Sequence, residues 1–196
     1  MKELLQEMQE YAIINHVPII KKAAADILCC YIKQNQPEKI LEIGTAIGYS
    51  ALLMAGSSDG NSKITTLEIN DARISTAHSF INRSIYRNNI EILKGDAGQL
   101  LQNLPGKFDF VFIDAAKGQY IKYLAAIMPL LADKGIIAAD NVLFRGYVES
   151  KEKPPRRYKT IVKRLREYIK ELDSRSEFIT EIYHDGDGLA VSQKRI

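Results

Sequence analysis

The chain has 196 residues, 46% of them hydrophobic and 26% charged, with a formal net charge of +3. That length suits one large domain with a real core, and the balance is that of an ordinary globular protein. No apolar run approaches the roughly 20 residues a membrane span needs, and the start, MKELLQEMQEY, reads as a charged amphipathic helix and not a signal peptide.

Taken in chain order, Leu4, Leu5, Met8, Tyr11 and Ala12 share one helical face, and the pattern breaks at NHVP. Residues 19–34 read as a helix ending before Pro37, KILEI (39–43) as a strand, and YSALLMAG (49–56) as a helix. KITTLEI (63–69) is a strand, followed by a helix that Asp71 opens as cap. IEILKGDA (90–97) is a strand running into a turn, FDFVFID (108–114) a strand, residues 117–128 a helix, and GIIAAD (135–140) the fifth strand. A long helix covers 156–172. Two last strands, EFITEIYH and GLAVSQK, flank DGDG, a hairpin signal. The cysteines, Cys29 and Cys30, are sequence neighbours outside any C-x-x-C, which points to a reducing cytoplasm.

Strands alternating with helices predict an α/β fold: a doubly wound, mostly parallel sheet with the C-terminal hairpin adding antiparallel pairing at an edge. No linker or repeat interrupts it, so residues 1–196 read as a single domain, with an N-terminal helix (1–15) and a Rossmann-like core (16–196). Such sheets bind ligands at the carboxyl ends of their strands. Those ends read Glu42-Ile43-Gly44, Glu68, Gly95-Asp96, Asp114 and Asp140-Asn141. Each alone can be a helix cap; five together point to a site.

LEIGTAIGYS (41–50) is the glycine turn after the first strand. A dinucleotide fingerprint needs a second glycine where Ala46 stands, which disfavours a nicotinamide cofactor. The form E-x-G-x-x-x-G is the looser turn of S-adenosylmethionine enzymes. Gly44 and Gly48 let the chain turn past a ligand, Ser50 offers a hydroxyl, and Glu68 can accept both ribose hydroxyls. Asp96 and the Ala97 backbone suit the adenine edge.

Asp114, Asp140 and Asn141 supply hard oxygen donors from neighbouring strand ends, a set suited to Mg²⁺ with positions left open. The alternative makes Asp140 and Asn141 caps and pairs Asp114 with Lys117. Beside a cation, Lys117 would give up its proton readily and serve as general base toward a substrate hydroxyl that the cation acidifies. His16, His78 and His184 are scattered, without metal spacing.

ILEIGTAIGYSA, LEIN, GDA, FIDAAKGQY and DNVLFRG resemble the cation-dependent O-methyltransferases, the group of catechol and caffeoyl-CoA O-methyltransferases, over residues 16–196. HVPI, DAAKGQY and DNVLFRG are most similar to the bacterial branch that methylates 5-hydroxyuridine at the tRNA wobble position. The resemblance implies a seven-stranded class I methyltransferase fold, cation ligation by Asp114, Asp140 and Asn141, and catalysis by Lys117 with Asp114. It implies S-adenosylmethionine contacts from Ile20, Ser50, Glu68, Asp96, Ala97 and Asp114, and a homodimer in the cytoplasm. Ile20 stands where that branch commonly has methionine, and the chain starts close to the first matched helix.

Residues 151–170 carry a net +7, leaving −4 for the rest. Lys159, Lys163, Arg166 and Lys170 line one face of the helix, Arg156 and Arg157 precede it, and Arg145 lies on the way from Asn141. A basic strip near a site suits a phosphate backbone, here that of a tRNA anticodon loop, whose bases splay outward; the alternative is a solvated helix face. A small catechol or caffeoyl-CoA acceptor, or a nucleotide-binding module without catalysis, are the competing functions.

Overall fold

A computed structural model describes residues 1–195. Seven strands form one sheet: β1 (Lys39–Ile43), β2 (Lys63–Glu68), β3 (Ile90–Lys94), β4 (Phe108–Ile113), β5 (Leu131–Asp140), β6 (Phe178–Tyr183) and β7 (Leu189–Lys194). Their order is β3-β2-β1-β4-β5-β7-β6. The first five pair in parallel, and β7 enters antiparallel between β5 and the edge strand β6. The doubly wound parallel sheet and its antiparallel hairpin are thus as the sequence predicts.

The helices are α1 (Lys2–Ile14), α2 (Lys22–Asn35), α3 (Tyr49–Ser57), α4 (Asp71–Asn82), α5 (Ala97–Leu100), α6 (Tyr120–Ile127) and α7 (Lys159–Ser174). β4 shows how the sequence enforces the layers. Phe110 and Phe112 face the core that includes Met8, Leu28 and Leu52, while Val111 and Ile113 face the core that includes Tyr120, Leu165 and Tyr168. A strand covered on both faces must be apolar throughout. Its one interruption, Asp109, accepts from the main-chain N–H groups of Glu38 (3.0 Å) and Lys39 (2.8 Å), pinning the entry to β1.

Five local readings are corrected. α2 starts at Lys22, because Lys21 is still extended after Pro18. The cap of α4 is Asn70, whose side chain accepts from the Arg73 N–H; Asp71 is helical and pairs with Lys94 at 2.6 Å. Lys117 lies in a 3-10 turn, Lys117–Gln119, ahead of α6, and a second such turn, Arg156–Tyr158, precedes α7. β5 begins at Leu131, which pairs with Phe108 across a register shift. Both cysteines are free thiols, and no helix among the described residues is long and apolar enough to cross a membrane.

The strand order reverses between β1 and β4, each flanked by parallel neighbours. Helices leave to opposite sides there, so a crevice opens at the carboxyl ends.

Candidate active site

That crevice is a cavity of about 480 Å³. Of the residues singled out from the sequence, Gly44, Glu68, Asp96, Ala97, Asp114, Lys117, Asp140 and Asn141 all line it. Pro18 and Ile19 close one side.

One half is built by β1, β2 and β3. Gly44 has φ +106°, and a Cβ there would stand 2.2 Å from the Asp114 carbonyl oxygen. The chain's own backbone, passing from β4, therefore demands this glycine. Glu68 is 7% exposed. Its Oε1 accepts from the N–H groups of Ile69 and Asn70, both at 3.0 Å, and its Oε2 from Ala46 N–H at 3.0 Å. The carboxylate is locked in place, with an oxygen lone pair left for a ligand hydroxyl. Asp96 caps α5 by accepting from Gln99 N–H at 3.1 Å, as the cap reading has it, and also lines the cavity.

The other half is acidic. Burial raises the Asp114 carboxyl, with the Lys117 charge partly countering. The Asp140 carboxyl is pushed up to about 7, first by burial and then by the negative charge of Asp114; a hydrogen bond from Asn141 N–H (2.7 Å) opposes this. A buried carboxyl raised further by a neighbouring carboxylate suits a positive charge beside the pair. Hard oxygens at two adjacent strand ends, with the amide of Asn141 beside them, fit a divalent cation. Asn141 itself sits at φ +57°, the left-handed region that asparagine tolerates.

The remaining expected residues fall elsewhere. Ile20 is buried in the core, Gly48 caps α3 at φ +83°, and neither lines the cavity. The Ser50 hydroxyl does not face it either; it donates to Glu42 Oε1 at 2.5 Å. Lys159, Lys163 and Arg166 line a separate basic groove of about 470 Å³ with Lys153 and Lys170. Arg166 is not free there: it donates to the carbonyls of Tyr147, Val148 and Ser150, clasping the loop that leads to α7. Arg145 and Arg157 stack on Tyr158, at 5.5 and 4.6 Å from its ring centre. Arg156, in the turn before α7, lines neither cavity. Arg164, on the same helix but outside the groove lining, donates from its guanidinium to the Gly118 carbonyl at 2.5 Å, next to Lys117.

Tyr120 escaped the sequence reading, and Glu42 entered it only as a strand end with no contact or role assigned. Glu42 is fully buried and accepts from Ser50 and Thr66, both at 2.5 Å. Burial pushes its carboxyl to about 7, the two hydroxyls pull it back, and Asp114 and Glu68 add to the push. Tyr120, wholly buried, donates to the Asp140 carbonyl at 2.9 Å. A carboxylate inside a central strand and a tyrosine two residues after Gly118 were the available signals.

The chain is 33% identical to a caffeoyl-CoA O-methyltransferase from Stellaria longipes over 131 residues, covering 64% of this chain and 54% of that protein. It is 35% identical to a catechol O-methyltransferase from Niastella koreensis over 117 residues, covering 58% and 53%. The matches thus span about half the length of these curated relatives. A crystal structure of a candidate caffeoyl-CoA O-methyltransferase from Staphylococcus aureus superposes with a TM-score of 0.90 at 34% identity, over 97% of this chain and 92% of that one. The O-methyltransferase family matches residues 1–195, nearly the whole length, and the chain belongs to that family.

Proposed function

We propose that this chain transfers the methyl group of S-adenosylmethionine to a ring hydroxyl flanked by a second oxygen, at a site where Asp114, Asp140 and Asn141 hold a divalent cation. The observation that carries it is the pair of raised carboxyls, Asp114 and Asp140, lining the same cavity as Glu68. The donor follows from family membership and from a locked carboxylate suited to a ribose. A divalent cation bound there supplies acidification and orientation of the acceptor hydroxyl. Lys117 takes the proton at its Nζ, Glu68 fixes the donor's ribose, and Pro18 with Ile19 shields the donor from water.

The named relatives favour a small catechol or a caffeoyl-CoA-type ester as acceptor. A second reading takes the acceptor from tRNA, as 5-hydroxyuridine at the wobble position, whose hydroxyl also neighbours a ring carbonyl. The basic groove along α7 supports it, and Arg164 of the same helix reaches the Gly118 carbonyl beside Lys117.

The test supplies methyl-labelled donor and Mg²⁺ with either catechol, caffeoyl-CoA or tRNA carrying 5-hydroxyuridine. Label in a small acceptor establishes the first reading. Label in the tRNA, lost in Lys159→Glu and Lys163→Glu, establishes the second. Undiminished transfer in excess chelator refutes the cation, and no transfer to any acceptor would leave a binding module.

A further inference from the structure

The β6–β7 turn, residues 184–188, stands against the loop that follows β5. The N–H groups of Val142 and Leu143 donate to the carbonyls of Gly188 (3.0 Å) and Asp187 (2.9 Å). Gly188 has φ +82°, and a Cβ there would lie 2.4 Å from Leu143 Cγ, so turn and loop are packed without spare room. The Asp187 side chain adds two contacts that point apart. Oδ1 accepts from the Arg145 N–H at 3.2 Å, and Oδ2 pairs with Lys21 Nζ at 2.8 Å.

These contacts end on the two halves of the cleft. Lys21 closes the strap that brings Pro18 and Ile19 to the cavity wall. Arg145 ends the stretch opened by Asn141, in which three non-glycine residues, Asn141, Phe144 and Arg145, are left-handed at φ 57°, 40° and 58°. Backbone of that kind persists only where its surroundings fix it. The Asp187 carboxyl is held below its usual range, first by the Lys21 hydrogen bond, and Arg145 contributes.

We infer that Asp187 is a positioning residue that fastens the cofactor-side strap, residues 17–21, to the cation-side loop, residues 141–146, across the mouth of the cleft. The inference rests on the reading of the two halves given above. Its two arms are separable: asparagine at 187 keeps an oxygen for Arg145 and loses the ion pair.

Calorimetric titration of S-adenosylhomocysteine and, separately, Mn²⁺ into the full chain tests it. K21M and D187N weaken S-adenosylhomocysteine binding by the same factor, up to about five-fold, the worth of an exposed ion pair. The double variant K21M/D187N binds S-adenosylhomocysteine no worse than either, and K21M keeps its Mn²⁺ affinity. D187A also weakens Mn²⁺ binding, roughly 10-fold or more, the usual effect of removing a group that orients a ligand. Unchanged S-adenosylhomocysteine affinity in K21M and D187N, additive losses in the double variant, or a D187A that only melts earlier would each overturn the proposal alone. If D187A does not fold, the K21M and D187N pair decides. A wild-type chain that binds neither probe overturns the reading of the cleft and the proposal with it.

Discussion

Tyr120 Oη lies 2.9 Å from the main-chain carbonyl of Asp140 and 3.3 Å from that of Ile113, so one phenol spans the ends of β5 and β4. Its single proton goes to the shorter contact. The phenol thereby sets the separation of the strand ends that carry Asp114 and Asp140. The ring is edge-on to Tyr168 at 5.5 Å and has no freedom to move away. Tyr120→Phe keeps that packing and leaves a buried acceptor without its donor, a cost of about 1–3 kcal/mol. Melting should fall accordingly, and Mn²⁺ affinity with it. A variant that melts early but binds Mn²⁺ like the parent would reduce Tyr120 to a purely structural role.

The two raised carboxyls fix a sign for pH. An aspartate that titrates near 3.8 when unfolded and near 7 when folded binds its proton more tightly in the fold. The metal-free chain is then most stable below the unfolded value, loses stability as pH rises from about 4, and has lost all of this contribution above about 7. Cation binding runs the other way, because it requires the ionised carboxyl. Mn²⁺ affinity should fall about ten-fold per unit below pH 7 as one proton is displaced. Asp140→Asn should raise the melting temperature of the metal-free chain at pH 7.5 and abolish Mn²⁺ binding. Melting curves across pH, with and without Mn²⁺, check both.

Lys117 reaches the cavity from the first residue of the 3-10 turn and acts on Asp114 through its charge. Removing a general base costs roughly 10²–10⁴ in rate. Lys117→Ala should lower single-turnover methyl transfer by that factor, keep S-adenosylhomocysteine affinity, and regain part of the rate at higher pH, where the acceptor hydroxyl ionises unaided. A purely structural Lys117 predicts an earlier melt with a normal rate and no recovery.

What the sequence revealed was whatever is local. The apolar runs of β1 and β4, the hairpin signal at residues 185–188 and the acidic strand ends all depend on near neighbours, and topology alone then brings Gly44, Glu68, Asp114 and Asp140 to one crevice. What stayed hidden depends on contacts distant in the chain. Ser50 turns inward because Glu42 is buried beneath it, and Arg166 is occupied by the carbonyls of Tyr147, Val148 and Ser150. Asp187 meets Lys21 across 166 positions. The misplaced cap has a subtler cause: Asn70 and Asp71 are both capping types, and only the extended backbone at Asn70 (ψ 115°) decides between them.

Glu68 offers the sharpest test of the cofactor half. A carboxylate has about four acceptor positions. Ile69 and Asn70 fill both on Oε1, and Ala46 fills one of two on Oε2. One lone pair remains, so Glu68 as it stands accepts a single ribose hydroxyl, and the second hydroxyl needs Ala46 N–H to let go. A charge-assisted hydrogen bond contributes roughly 1.5–3 kcal/mol, about 10- to 100-fold in affinity. The parent chain should therefore bind S-adenosylhomocysteine 10- to 100-fold better than an analogue lacking both ribose hydroxyls. Glu68→Ala should bind the two alike, at the weaker level. Its fold also loses the acceptor of three main-chain N–H groups, so it should melt earlier as well. The comparison within each protein cancels that structural effect, because both ligands meet the same fold. Should Glu68→Ala still prefer the hydroxylated ligand by the parent's margin, the ribose is held by some other group.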